Sequence, residues 1–284
     1  MSKRGAEERL RDISDEKLVK DAAKLRSKLV YEVIRRDGEE ELERTQRSLF
    51  WAGIAAGVLI SFSVIGEALL RTYLPQGQSW TYIVENLGYS FGFLLVILGR
   101  MQLFTENTIT TVLPFMQAPT LRNLMRVLRL WAIVLGANVV GAFVAGWWLA
   151  QVGAMPEEVI PTIRGLSEHA TGMGAWESFV RGVPAGILVA AIVWMMPLVT
   201  SGAEFLVIMV FTWLIALGDF THVVAGSVEM AFLMIEGGLG AYEGVFDFFL
   251  PVFAGNVVGG TLIFAAMAWG QVKDEYHPET EQAH

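Results

Sequence analysis

Arg100-Met101-Gln102-Leu103-Phe104-Thr105-Glu106-Asn107-Thr108 sits in the middle of an apolar stretch that runs from about Tyr82 to Met116. A second stretch, from about Ala203 to Gly237, is interrupted in the same way by Gly218-Asp219-Phe220-Thr221-His222. Each is far longer than the roughly 20 residues that one bilayer crossing needs. A continuous helix would carry these charges into hydrocarbon at roughly 2.5–3.5 kcal/mol each on insertion scales. Breaking the helix relieves that cost only where the freed backbone lines a cavity or packs against protein. Both stretches are therefore read as half-helix, loop, half-helix, with Pro114 and Gly218 at the interruptions. The plainer alternative is a single tilted helix with a buried polar patch.

Outward from these two stretches, four ordinary apolar runs complete the set: about Ser48 to Leu70, Leu121 to Gln151, Glu177 to Val199 and Phe246 to Gln271. Six spans make this an all-α integral membrane protein whose partner is the lipid bilayer. Composition agrees. Hydrophobic residues are 54% of the chain and charged residues 18%, and residues 1–47 hold 13 of the 21 Lys and Arg. A soluble protein would spread that charge to give each helix a wet face. The absence of cysteine excludes disulfides, thiolate catalysis and thiolate metal ligands. No cleavable signal peptide is read, because a long charged tail precedes the first apolar run.

The chain divides into an N-terminal tail (1–47), a channel domain (48–271) and a C-terminal tail (272–284). The positive-inside rule puts the basic tail, the turn carrying Arg122, Arg126 and Arg129, and the C-terminal tail with Lys273 on the cytoplasmic side of a bacterial-type inner membrane. Arg71 and Arg164 then fall in outward loops. Trp80 and Trp176 fall near outer boundaries, where indole rings favour the headgroups, although lipid-facing packing accounts for them equally well. The tail reads as helix broken at Asp37-Gly38. Residues 39–47, with Arg44 and Arg47, read as an amphipathic lead-in at the membrane surface.

The halves resemble each other. Phe104-Thr105-Glu106 matches Phe220-Thr221-His222 at an offset of 116, and Gly136-Ala137-Asn138-Val139-Val140-Gly141 echoes Ala254-Gly255-Asn256-Val257-Val258-Gly259 at 118. A duplicated three-span unit follows, covering about 48–151 and 177–271. Three is odd, so the second copy enters the membrane inverted. Such repeats place the solute site near the midplane, where the broken helices meet. The glycines of the third and sixth spans read as close helix contacts, with Asn138 and Asn256 supporting the broken backbone.

These features together resemble the formate/nitrite transporter family, and most closely its YfdC-type branch. The resemblance rests on Leu103-Phe104-Thr105 and the residues after them to Thr108, on Gly218-Asp219-Phe220-Thr221-His222-Val223-Val224, and on Gly255-Asn256-Val257-Val258-Gly259-Gly260. It covers about 45–271. It implies an aquaporin-like six-helix protomer assembled as a homo-pentamer, one pore per protomer, passing small monovalent anions of weak acids such as formate or nitrite. The family's constrictions would fall on Tyr89, Phe93, Leu103, Phe104 and Ile215, and its central histidine on His222.

His222 is the only histidine expected inside the membrane. It lies at a helix break, read as the counterpart of Glu106. In an apolar chamber it is expected to stay neutral and to meet a weak-acid anion by a hydrogen bond or through a proton relayed from water. Thr105 and Thr221 would orient the ring or the solute, with Glu106 and Asn107 beside the same loop. The neutral acid then passes constrictions that stop the ion, since burying an unpaired charge is costly. This chain also departs from the family's pattern. Ala170, with His169 beside it, stands where many members carry a lysine, and Gly186 and Gly226 stand in place of asparagines. Arg100 and Glu106 occupy positions that are usually small or neutral. Glu106 would repel an anion unless paired, and Arg100 is a candidate partner for it or for Asp219.

Two other functions stay open: a pore for a neutral solute or cation, suggested by Glu106 and the missing lysine, and a closed-pore membrane sensor or scaffold. An enzyme is not read. There is no His-Glu-x-x-His, Gly-x-Ser-x-Gly or Gly-rich phosphate loop, and no cofactor, metal or nucleic-acid partner is expected. The Asn-Pro pairs of true aquaporins and a Thr-Val-Gly-Tyr-Gly filter are missing too.

Overall fold

The two interrupted stretches are broken helices. In the computed structural model, which describes residues 27–200 and 202–273, the described residues form helices and connecting turns. In chain order these are α1 (Ser27–Glu43), α2 (Gln46–Tyr73), α3 (Thr81–Leu98), α4 (Phe104–Thr110), α5 (Val112–Gln117), α6 (Leu121–Gln151), α7 (Ile160–Thr171), α8 (Ala175–Leu198), α9 (Ala203–Leu217), α10 (Val223–Glu236) and α11 (Glu243–Val272). Five of these, α2, α3, α6, α8 and α11, are long and apolar enough to cross a membrane. The expected fifth crossing is divided between α9 and α10. Residues 1–26 and 274–284, read as parts of the cytoplasmic tails, lie outside the described residues.

Both breaks have the same backbone. α3 ends at Gly99, Arg100 turns left-handed at φ 52°, and Met101 N–H reaches back to Val96 O at 3.0 Å. α9 ends at Gly218, Asp219 turns at φ 54°, and Phe220 N–H reaches Ile215 O at 2.9 Å. This is the Schellman ending of a helix, with a residue other than glycine in the left-handed position. Three residues later the chain is extended, at Leu103 and at His222, and the second half-helix begins.

An asparagine clamps each break. Asn138 of α6 accepts from Phe104 N–H at 2.9 Å and donates to Gly53 O and Gln102 O, each at 2.8 Å. Asn256 of α11 accepts from Val223 N–H and donates to Gly182 O and Thr221 O, all at 2.9 Å. Backbone groups freed by the break are thus satisfied by protein, as a low-dielectric setting requires. Close helix contact makes this reach available. A Cβ on Gly57 would come within 2.1 Å of Asn138 O, and one on Gly186 within 2.3 Å of Asn256 O.

The matching hydrogen bonds fix the register of the duplication and correct the sequence reading. Leu103 corresponds to His222, Arg100 to Asp219, and Gly99, rather than Pro114, to Gly218. The shared Phe-Thr letters belong to different turns, so Glu106 is not the counterpart of His222. Pro114 lies within α5.

The N-terminal helix also differs from expectation. α1 runs unbroken through Asp37-Gly38. Gly38 is buried, and a Cβ there would meet Thr110 O at 1.9 Å, so the glycine serves close packing rather than a break. Tyr31 donates its hydroxyl to Leu113 O at 3.1 Å, and Val30, Ile34 and Leu42 are buried on the same face. α1 is docked on the α4–α5 segment.

Candidate functional site

The second half-helices, α4 and α10, start near each other at the centre of the bundle. Thr105 Oγ1 and His222 Nε2 lie 2.7 Å apart, with Thr105 fully buried and His222 2% exposed. His222 also caps α10, its Nδ1 accepting from Ala225 N–H at 3.2 Å. An accepting Nδ1 carries no proton, so the neutral ring holds its proton on Nε2 and donates it to Thr105 Oγ1. The Thr105 hydroxyl proton then has no acceptor among the described residues.

Aromatic and aliphatic side chains surround this pair. The Phe93 ring meets His222 edge-on at 5.0 Å between centroids, and Tyr89 lies 5.3 Å from Phe93. Phe104 is held between Trp131 at 5.5 Å and Phe253 at 5.4 Å. Leu103, Phe104, Phe93 and Ile215 are fully buried.

A cavity lies on each side. On the α7 side, a space of about 70 Å³ is lined by His222, Thr221, Tyr89, Phe248, Glu67 and Glu229, with Asp219 and His169 nearer its edge. On the α1 side, a space of about 770 Å³ reaches Leu103, Glu106, Asn107, Gln102, Arg100 and α1 itself. Tyr89 and Leu103 therefore face opposite cavities, while Phe93, Phe104 and Ile215 line neither of the two.

Other expected site residues are placed as follows. Thr221 donates to Ser178 O at 2.8 Å and not to His222. Asn107 donates to Gln102 Oε1 at 3.1 Å, and Gln102 donates to Glu41 Oε2 of α1 at 2.8 Å, so a polar chain ties the first break to α1. Glu106 faces the larger cavity, with Oε1 buried and unbonded among the described residues.

The charge network differs from the expected one. Arg100 is exposed and makes no ion pair with either Glu106 or Asp219 among the described residues. The two breaks open to different cavities, so Arg100 and Asp219 are on separate sides of the centre. Asp219 is instead held by Arg181 of α8, and His169 Nε2 lies 2.9 Å from its carboxylate. Arg181 also pairs with Glu177 at 2.6 Å, and its carbonyl accepts from Thr221 N–H at 3.2 Å. Arg181 is not legible as a site residue in the sequence, because an arginine near a span end reads as an interfacial charge. Its spacing of four from Glu177 is the one local signal.

Comparison with known proteins places this geometry. A family model described as formate/nitrite transporter matches residues 28–270. The chain is 41% identical over 250 residues to the inner membrane protein YfdC of Escherichia coli, covering 88% of this chain and 80% of that protein. It is 29% identical over 240 residues to the formate channel FocA of Haemophilus influenzae, covering 75% and 82%. Among solved structures, a pentameric formate channel with formate bound shares the fold with a TM-score of 0.70 at 20% identity, covering 80% of this chain and 97% of that one. An ion channel of the same family gives 0.74 at 17%, covering 85% and 98%. By its sequence from α1 to α11 and by its fold, this chain belongs to the formate/nitrite transporter family.

Proposed function

We propose that the chain forms a pore for small monovalent anions of weak acids, of the formate or nitrite kind, which cross from one cavity to the other past Thr105 and His222. The single observation that carries this reading is the 2.7 Å contact of these two side chains between two cavities. His222 holds the threonine hydroxyl so that its proton is available to an anion oxygen. Proton transfer to the solute from hydronium in a cavity, which leaves water, then gives a neutral acid, which passes the apolar layer of Tyr89, Phe93 and Leu103, backed by Phe104 and Ile215, where an unpaired ion would be costly to bury. Formate channels among the matched proteins support this solute class.

The reading extends to assembly and placement. A pentamer, as in the solved formate channel, would cover part of the exposed apolar surface that includes Trp147, Leu206 and Leu262, and leave the rest to lipid. The basic N-terminal tail and the Arg122–Arg129 turn favour cytoplasmic termini in a plasma membrane.

A second reading, a pore for a cation or a neutral solute, draws on Glu106, whose buried oxygen has no partner. Proteoliposomes separate the two. Swelling in formate and nitrite, with sulfate excluded, is the expected result. Equal impermeability to formate, nitrite and acetate overturns the first reading, and reversal potentials that follow the cation gradient select the second.

A further inference from the structure

The smaller cavity has a lining that this pore mechanism leaves unused. Glu67 of α2 and Glu229 of α10 both face it, and neither makes a hydrogen bond or ion pair with a described residue. The cations nearby are committed elsewhere. Arg71 lies 3.8 Å from Glu85, and Arg181 joins Glu177 and Asp219. His169 is taken by Asp219, and the Tyr82 hydroxyl by Leu217 O at 3.3 Å. His222 uses both ring nitrogens.

Tyr89 adds an independent observation. It is 8% exposed and lines the same cavity, and its phenol has no partner among the described residues. A space of about 70 Å³ thus holds two carboxyls and a phenol that nothing in the protein satisfies. Tyr89 is buried and the two glutamates are half-buried against the cavity, so the partners of all three are found in what enters it. Two ionised carboxylates cannot share so small a space at bilayer depth without a counterion, whereas protonated carboxyls can, and they are donors. The site lies directly before His222 and Thr105 on the way from α7.

We propose that Glu67 and Glu229 are proton donors that convert an arriving weak-acid anion to its neutral acid in this cavity, with Tyr89 holding the solute, so that acid and proton cross together. This rests on the weak-acid pore reading above. In the step, the O–H bond of one glutamic acid breaks as an O–H bond forms on an oxygen of the anion, leaving a glutamate carboxylate. The neutral acid moves on past Thr105. Hydronium entering at the rim, where the His169 side chain is 64% exposed, restores the glutamic acid. Per cycle one anion and one proton cross, with no net charge.

The test uses the full-length protein in proteoliposomes, with formate uptake, lumenal pH and an imposed membrane potential followed together. The wild type is expected to acidify the lumen as formate enters, at a rate the potential does not alter. E67Q/E229Q is expected to lose at least tenfold in uptake at pH 7, with the remaining uptake steered by the potential, and E67D/E229D to restore proton-linked uptake. Should the double glutamine variant fail to assemble, E67Q and E229Q singly are expected to lower proton-linked uptake severalfold. Unchanged acidifying, potential-independent uptake in the glutamine variants overturns the proposal. Wild-type uptake that follows the potential without acidification overturns the proposal but leaves the weak-acid pore standing. No wild-type uptake of formate or nitrite, or a methylammonium current in its place, overturns both.

Discussion

Leu103 and His222 occupy the same position in the two repeats, each the extended residue that precedes the second half of a broken helix. One repeat thus contributes an apolar side chain to the centre and the other an imidazole. The Asn138 and Asn256 clamps keep the backbones alike while the side chains differ, so the duplicated fold has one polar centre rather than two.

Thr105 is predicted to matter through its hydroxyl. Thr105→Val keeps the shape and removes the group between His222 and the solute. Formate flux should fall about tenfold or more, while Thr105→Ser stays within about threefold, since a hydrogen bond to a charged group is worth roughly 1.5–3 kcal/mol and a tenfold rate change about 1.4. Equal flux in all three proteins would remove the hydroxyl from the account.

The two asparagine clamps should be equivalent in energy. Asn138→Ala and Asn256→Ala each strand one carbonyl (Gln102 O or Thr221 O) and one N–H at the break, and remove a second bond from a carbonyl inside a helix, at a cost of about 2 kcal/mol or more. Thermal melting of the detergent-solubilised protein should show comparable losses for both. Replacement by Asp, which keeps the acceptor and loses the donors, should also destabilise both.

Glycine at the left-handed positions should separate the breaks. A side chain in that conformation costs about 1–2 kcal/mol. Arg100 has no ion pair to offset this, so Arg100→Gly should raise the melting temperature. Asp219→Gly relieves the same strain but releases Arg181 and His169, and should lower it. A stabilising Asp219→Gly would contradict the assigned clamp.

The docking of α1 should be insensitive to pH across the neutral range. Hydrogen bonds from Arg35 hold the Glu32 carboxyl down to about 2 from its usual 4.5, with Arg36 helping against a smaller opposing effect of burial. A lowered folded pKa means that this contribution is complete above about pH 4.5 and fades as pH falls toward 2. Asp37, raised by burial, runs the opposite way. Hydrogen exchange over residues 27–43 should therefore be constant from pH 5 to 8 once corrected for intrinsic rates. Gly38→Val, which collides with Thr110 O, should speed that exchange at every pH.

Much of the fold is legible in the sequence, because charged residues inside long apolar runs have few solutions in a bilayer. The third span is expected at Leu121–Gln151 and is found there. The register of the repeat is not legible, since the shared Phe-Thr letters lie on different turns and only the hydrogen bonds of Asn138 and Asn256 align the halves. Asp37-Gly38 reads as a break because glycine is a poor helix former. The close approach of Thr110, which makes a side chain there intolerable, is a tertiary fact. Arg181, Glu67 and Glu229 are invisible as site residues for a similar reason. Each sits on a different helix, and only packing brings the two glutamates to the wall of one cavity and Arg181 to the Asp219 beside it.

The central claim is that solute crosses at His222. Its most direct test is formate flux in proteoliposomes carrying the wild type or His222→Phe at equal protein content, compared at each pH from 5 to 8. The variant is expected to assemble normally and to lose about tenfold or more of the flux at every pH, because the group that holds the Thr105 hydroxyl is gone. A variant whose flux equals that of the wild type across this range would contradict it.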